Sequence, residues 1–193
     1  MIKEAIKKLV AGNDLTFDEA AQVMDEMFSG TATQSQMAAY LTALRIKGET
    51  IDEITASAQV MREKALHIKP NRDVLDIVGT GGDGTGTFNI STTAAFIIAA
   101  AGIPVAKHGN RSMSSKSGSA DCLEQLGINI NITPEKSEEV LNKAGICFMF
   151  AQGYHSSMKY VGPVRKEIGI RNIFNVLGPL TNPAGADLQV TGV

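Results

Sequence analysis

Apolar residues in the first 70 positions recur three and four apart, the period of helices that bury one face. Ile2, Ile6, Leu9 and Val10 mark a first helix. Threonine followed three residues later by glutamate or glutamine precedes three further runs, at Thr16/Glu19, Thr33/Gln36 and Thr50/Glu53. In such a box each side chain takes a backbone N–H that a helix start leaves unpaired. Gly12, Gly30 and Gly48 stand where the first three helices should stop. The pattern predicts a helical domain over 1–70, with Met24, Met27, Phe28, Met37, Leu41, Leu44 and Met61 as core rather than as a binding stripe.

After Pro70 the period changes. Val74 to Val78 reads as a short buried strand, a glycine-rich loop follows, and Ile90 to Ala101 reads as a helix apolar on every side, expected to be internal. Pro104 to Ala106 reads as the next strand, then comes a polar loop from Lys107 to Ser119 and a helix from Ala120 to Leu126. The segment Ile128 to Ile132, a helix start at Thr133-Pro134 and a strand Ile146 to Phe150 continue the alternation, and Asp187 to Val193 reads as a last strand. Strands alternating with helices predict an α/β domain over 71–193 with a mainly parallel sheet covered on both faces. A sheet is rarely left at such a strand, so the expectation is a truncated α/β domain.

Composition narrows the function classes. The chain has 193 residues, 44% hydrophobic and 20% charged, with a net charge of -2. A chain of this length buries roughly 70% of its unfolded surface, enough for one domain and a small helical annex. Charge is balanced by segment, eight basic against ten acidic residues in 1–70 and six against seven in 121–193, which argues against a nucleic-acid surface. Cys122 and Cys147 form neither a Cys-x-x-Cys nor a zinc spacing, which suits a reducing compartment. The N-terminus lacks an apolar signal core, and the longest uncharged stretch, Gly84 to Ala106, is interrupted by polar residues, glycine and Pro104, so the expectation is a cytoplasmic protein without membrane contact.

The candidate chemistry lies in three polar clusters. Gly79 to Gly86 holds five glycines in eight positions, between a strand and a helix. Glycine lets backbone N–H groups approach an anion, and the helix beginning near Asn89-Ile90-Ser91-Thr92 adds the positive end of its dipole. Gly79-x-Gly81-x-x-Gly84 matches the dinucleotide fingerprint, but no acid occurs between Asp83 and Asp121 to hold ribose hydroxyls, and no Gly-Lys-Ser/Thr closes a P-loop. The second cluster, Lys107 to Ser119, carries three cations, five serines, an asparagine and two glycines, and also suits oxyanions. Both loops leave the C-terminal ends of neighbouring strands, so the expected ligand carries phosphate at two ends. The third cluster runs from Gln152 through His155 and Lys159 to Arg165.

On these residues the sequence resembles the anthranilate phosphoribosyltransferase family. The stretches that carry the resemblance are Gly79-Thr-Gly-Gly-Asp-Gly through Thr87-Phe-Asn-Ile-Ser-Thr92, Lys107-His-Gly-Asn-Arg through Ser114-Ser115 to Gly118-Ser-Ala-Asp121, and Pro163-Val-Arg-Lys through Phe174 to Pro183. Gln36 to Glu49 matches as well. The resemblance implies a glycosyltransferase of tryptophan biosynthesis with a helical and an α/β domain, paired as a homodimer through the helical part, transferring phosphoribosyl from PRPP to anthranilate with magnesium (Mg2+). It implies that Gly79, Gly82, Asp83, Thr87, Asn89, Ile90, Ser91, Thr92, Lys107, His108, Gly109, Asn110, Arg111, Ser112, Met113, Ser114, Ser115 and Ser119 hold PRPP, and that Ser91 reaches one magnesium. Gly79, His108, Asn110, His155 and Arg165 would hold anthranilate.

Gln152, Ser156, Ser157 and Asn172 depart from the family pattern. The family also runs longer and carries an Asp-Glu pair of magnesium ligands downstream, which nothing in 1–193 replaces. No strong general base stands out. Three readings stay open: an N-terminal portion of the transferase, a related nucleoside phosphorylase, and a PRPP- or phosphate-binding module without catalysis. The aspartate in Gly-Gly-Asp-Gly and the stretch Phe88-Asn-Ile-Ser-Thr disfavour the phosphorylase.

Overall fold

All three threonine boxes start helices in the computed structural model, which describes residues 1–81, 88–112 and 117–192. Helices α1 (Ile2–Val10), α2 (Phe17–Ser29), α3 (Gln34–Lys47) and α4 (Ile51–Glu63) open the chain. Each threonine hydroxyl accepts the N–H of the box residue, and that residue's side chain accepts the threonine N–H in return. Gly30 closes α2 in the left-handed conformation, φ 76°. Glu53 does more than its box requires. It is fully buried, its Oε1 accepts Leu15 N–H at 2.9 Å, and its Oε2 accepts Thr50 N–H at 2.8 Å and Lys47 Nζ at 2.9 Å. A carboxylate withdrawn from water needs its lone pairs engaged in this way, and the result ties α3 and α4 to the α1–α2 connection.

The alternating part follows as β1 (Leu75–Gly79), α5 (Ile90–Ala100), β2 (Val105–Gly109), α6 (Ser119–Gln125), α7 (Pro134–Ala144), β3 (Ile146–Phe150), α8 (Ala151–Tyr154), α9 (Met158–Ile168), α10 (Phe174–Leu180) and β4 (Leu188–Gly192). The strands form one parallel sheet in the order β3-β2-β1-β4. One expected member of the alternation is missing: 128–132 forms no strand. Only Ile130 of that stretch is buried, packed with Ala120, Leu123 and Phe150, so a single apolar anchor takes the place of a paired strand.

The chain divides into two compact units, each made of two stretches. One comprises Met1–Lys64 with Ser156–Leu180, the other Ala65–His155 with Thr181–Val193. The helical unit gains α9 and α10 because Val161, Val164, Ile173, Phe174 and Leu177 join the core built by Met24, Met27, Tyr40, Leu41 and Leu44. In the α/β unit, Ile68, Val74, Ala106, Leu141, Cys147 and Met149 pack on one face of the sheet. Ile77, Ala95 and Val105 pack on the other, where α5 lies. The expectation that α5 is internal fails, since it buries only Thr92 and Ala95. Among the described residues nothing covers its other sides.

Candidate functional site

β1 and β2 run parallel side by side, so the chain leaves their C-terminal ends at one edge of the sheet. This is where parallel sheets bind ligands. β1 ends at exposed Gly79, level with Gly192 of β4, and Thr80 N–H bonds the Gly192 carbonyl at 3.0 Å. After the glycine loop the chain enters α5 through Asn89, whose side chain makes no capping hydrogen bond, unlike Thr16, Thr33, Thr50 and Thr133. Ile90 is exposed, Ser91 half-buried and Thr92 buried in that first turn. Gly82, Asp83, Thr87, Met113, Ser114 and Ser115 lie outside the described residues.

The loop after β2 is built against the start of α6. Asp121, in the first turn of α6, accepts Ser112 N–H at 3.2 Å and Gly118 N–H at 2.8 Å, so one carboxylate joins the residues on either side of 113–116. Those two N–H bonds, and the Arg111 guanidinium beside it, hold the Asp121 carboxyl below its ordinary pKa. The Asn110 carbonyl accepts the Ser119 hydroxyl and the Ala120 N–H, and the Asn110 side chain accepts Arg111 N–H at 2.8 Å. A Cβ on Gly118 would stand 2.3 Å from Ser112 N and 2.8 Å from the Asn110 carbonyl oxygen. One on Gly109 would meet the Ser119 hydroxyl at 2.5 Å. Gly118 thus permits a close backbone approach, and Gly109 makes room for the Ser119 and Phe148 side chains.

The two expected cations of this loop are both engaged by protein groups. Arg111 pairs with Asp121 at 2.9 Å and, through both terminal nitrogens, with Glu124 at 2.5 and 2.9 Å. In this structure Arg111 is a clamp on α6. Lys107 is buried, and its Nζ donates to the Ile77 carbonyl at 2.5 Å. Burial lowers its pKa to about 8 against the opposing pull of Asp76. Asp76, inside the otherwise apolar strand Val74 to Val78, is fully buried and accepts His108 N–H at 3.2 Å and Gln189 Nε2 at 3.3 Å. Burial raises its carboxyl pKa. Asn182 donates to the Ala106 carbonyl at 2.9 Å.

These bonds make up for a short ladder. β1 and β2 register only at Leu75↔Val105, whereas β1–β4 and β2–β3 each register over five pairs. Side chains of Asp76, Lys107 and Asn182 thus serve backbone groups where β1 and β2 would otherwise pair. Asp76, Asn182 and Gln189 were not among the expected site residues. The one signal for them in the sequence is an acid in the middle of a buried strand.

Of the residues expected on the anthranilate side, Gly79, His108, Asn110 and His155 belong to the α/β unit and Arg165 to the helical unit. The rings of His108 and His155 lie 5.1 Å apart, and both residues are buried. Burial, and next the neighbouring His108, push the His155 pKa from 6.5 down to about 3, so its imidazole is neutral. Arg165, in α9, stacks its guanidinium 5.2 Å from the Phe174 ring centre, and its buried Nε has no hydrogen-bond partner among the described residues. Burial lowers its pKa. For magnesium, Ser91 offers one neutral oxygen, and among the described residues no three His, Cys, Asp or Glu side chains group as metal ligands. A hard cation that asks for six oxygens is not held by this donor set.

A parallel sheet with two polar loops leaving one edge, in a chain that also builds a helical unit, agrees with the matches to known proteins: the chain belongs to the glycosyl transferase family. The family's a/b domain matches residues 71–193 and its helical bundle domain residues 3–65. The chain is 62% identical over its whole length to anthranilate phosphoribosyltransferase from Lachnoclostridium phytofermentans, and likewise to that from Methanobrevibacter smithii, spanning 57% and 58% of those proteins. The chain therefore covers little more than half the length of these relatives. The crystal structure of anthranilate phosphoribosyltransferase from Thermus thermophilus matches with a TM-score of 0.91 and 49% identity, over 98% of this chain and 58% of that one. The Saccharomyces cerevisiae enzyme in complex with PRPP and Mg matches with a TM-score of 0.91 and 28% identity, over 100% of this chain and 58% of that one. Among the described residues no helix is long and apolar enough to cross a membrane.

Proposed function

We propose that this chain is the PRPP-binding portion of an anthranilate phosphoribosyltransferase, an enzyme that moves phosphoribosyl from PRPP to the amine of anthranilate and releases pyrophosphate. The observation that carries the reading is the pair of loops after β1 and β2 at one sheet edge, the second braced by Asp121. The relatives supply the substrate class: the yeast enzyme is described in complex with PRPP and Mg, and also with 4-fluoroanthranilate.

In this reading the departing pyrophosphate gathers negative charge near the first turn of α5, whose free N–H donors and dipole are in place before the reaction and cost no reorganisation during it. Holding the aromatic amine in line with C1 lowers the barrier further, by up to about 7 to 11 kcal/mol for well-oriented groups. Arg165 recognises the anthranilate carboxylate, because a planar fork suits a planar acid. His155 shapes the pocket as a neutral ring. With a pKa of about 3 it is too weak a base to take the amine proton at neutral pH. Pairing as a homodimer through the helical unit and a cytoplasmic location complete the reading. Exposed Val10, Ile46 and Ile51 on that unit support the pairing.

Calorimetric titration of PRPP into the wild type and Lys107→Met tests the site. Methionine keeps the unbranched stem and removes the ammonium that holds the Ile77 carbonyl just before the glycine loop, so affinity should fall by about 10- to 150-fold, the worth of one hydrogen bond from a charged group, roughly 1.5–3 kcal/mol. The wild type should hold its affinity at pH 6 to 7 and weaken as pH rises through about 8, where half of the buried ammonium has lost its proton. Lys107→Met should lack that alkaline limb. Equal affinity in both proteins would overturn the assignment.

A further inference from the structure

We infer that Glu124 is a latch on Arg111: it competes with a diphosphate group for that guanidinium, and so sets the affinity of the loop after β2 for such anions. The inference rests on the PRPP reading and adds to it a residue that lies in none of the three polar clusters.

Arg111 stands just past the end of β2, and its guanidinium lies 5.5 Å from the ring centre of Phe150, the last residue of β3. β2 and β3 run parallel with Gly109 level with Phe150, so the charge sits at the C-terminal edge of the sheet, where both loops leave. One terminal nitrogen donates to Asp121 at 2.9 Å and to Glu124 at 2.5 Å, and the other donates to Glu124 at 2.9 Å. The two carboxylates differ in what else they hold. Asp121 also accepts the N–H groups of Ser112 and Gly118, so it braces the loop whether or not Arg111 stays. Glu124 meets the fork with both oxygens, and among the described residues its carboxylate has no other partner. A carboxylate that takes an arginine fork with two oxygens presents the same geometry and sign as a phosphate. Glu124 therefore fills the place on Arg111 that a ligand oxyanion would take.

The grip is close in geometry and modest in energy. The side chains of Arg111 and Glu124 are 42% and 33% exposed, so water screens the pair and it is exchangeable. A ligand with several negative charges, held at the same time by the loop after β1, displaces one carboxylate more readily than a singly anchored anion does. Only those molecules in which Arg111 has left Glu124 meet the ligand in full, and apparent affinity falls by that fraction.

The test is calorimetric titration of PRPP into the wild type, Glu124→Gln, Arg111→Met and the double variant. Glutamine keeps the size and one carbonyl acceptor but loses the charge, so PRPP affinity should rise by roughly three- to tenfold. In the Arg111→Met background the same substitution should change it by less than about twofold, because the gain passes through the guanidinium. Glu124→Asp, which keeps the charge on a shorter stem, should stay nearer to the wild type than to Glu124→Gln. A gain of equal size with and without Arg111 would be the general effect of removing one negative charge, and would overturn the inference. So would unchanged or weaker binding by Glu124→Gln, the result expected if the pair only fastens α6. Inorganic pyrophosphate is titrated in parallel. If the wild type binds pyrophosphate and not PRPP, the PRPP reading fails and the latch is judged on the pyrophosphate gain alone. If PRPP binds the wild type and Glu124→Gln equally, the latch fails and the PRPP reading stands. Binding of neither anion by any of these proteins overturns both.

Discussion

Asp121 and His155 show what single residues do when position overrides type. Asp121 stands in a motif that reads as ligand-binding, yet its carboxylate is spent on Ser112, Gly118 and Arg111, and it acts on a ligand only through the loop it braces. His155 is expected on the anthranilate side, and burial makes it a neutral ring. The unfolded chain binds a proton there below about pH 6.5 and the folded chain only near pH 3, so stability falls as pH drops through that window. At pH 5 this amounts to about 2 kcal/mol. Asp76 acts in the opposite sense, because its raised pKa lets the folded state take a proton before the unfolded one. Urea melts between pH 7 and pH 5 should therefore show an acid loss in the wild type that His155→Gln removes. An identical loss in both would place the proton uptake elsewhere. In the whole enzyme, Arg165→Lys should raise the KM for anthranilate far more than that for PRPP, and equal effects would argue against the carboxylate role.

At the level of elements, the helical starts obey local rules, and the loop after β2 obeys a rule of contact. Thr16, Thr33 and Thr50 begin helices as their boxes require, because capping is settled within four residues. Gly118 is different, since its N–H bonds Asp121 within one turn while its missing Cβ makes room for the Asn110–Ser112 backbone. Gly118→Ala should push that backbone away at a cost of roughly 1–3 kcal/mol, as overpacking does, and PRPP affinity should fall with it. Thermal melts and calorimetry on the same sample check both, and an unperturbed variant would show that the loop does not need this approach. The stretch 128–132 had the apolar residues of a strand and became an anchored connection, because a strand exists only where a neighbour offers its ladder.

For the whole molecule, the donor set decides activity. Ser91 offers one neutral oxygen, and among the described residues no three His, Cys, Asp or Glu side chains group as metal ligands. Metal clamps contribute several kcal/mol to such transition states, and a loss of about 4 kcal/mol already slows a reaction about a thousandfold. The 193-residue chain made alone should show no phosphoribosyl transfer above background at saturating anthranilate, PRPP and magnesium, followed by loss of anthranilate fluorescence. Sustained turnover by a chain of verified mass would mean that these residues already complete a metal site.

The helix starts, the short strands and the two polar loops were legible in the amino-acid order, because caps, period and glycine content act over a few residues. The family was legible too, in Gly79 to Thr92 and Lys107 to Asp121. What tertiary structure alone decided involves partners distant in sequence. It placed α9 and α10 with the first four helices through Val161, Phe174 and Leu177. It set Asp76 of β1 on the His108 backbone and Gln189, and it turned Lys107 onto Ile77. It also left α5 half open, although its composition reads as interior. Local rules specify which elements form, whereas burial and pairing depend on what else arrives to cover them.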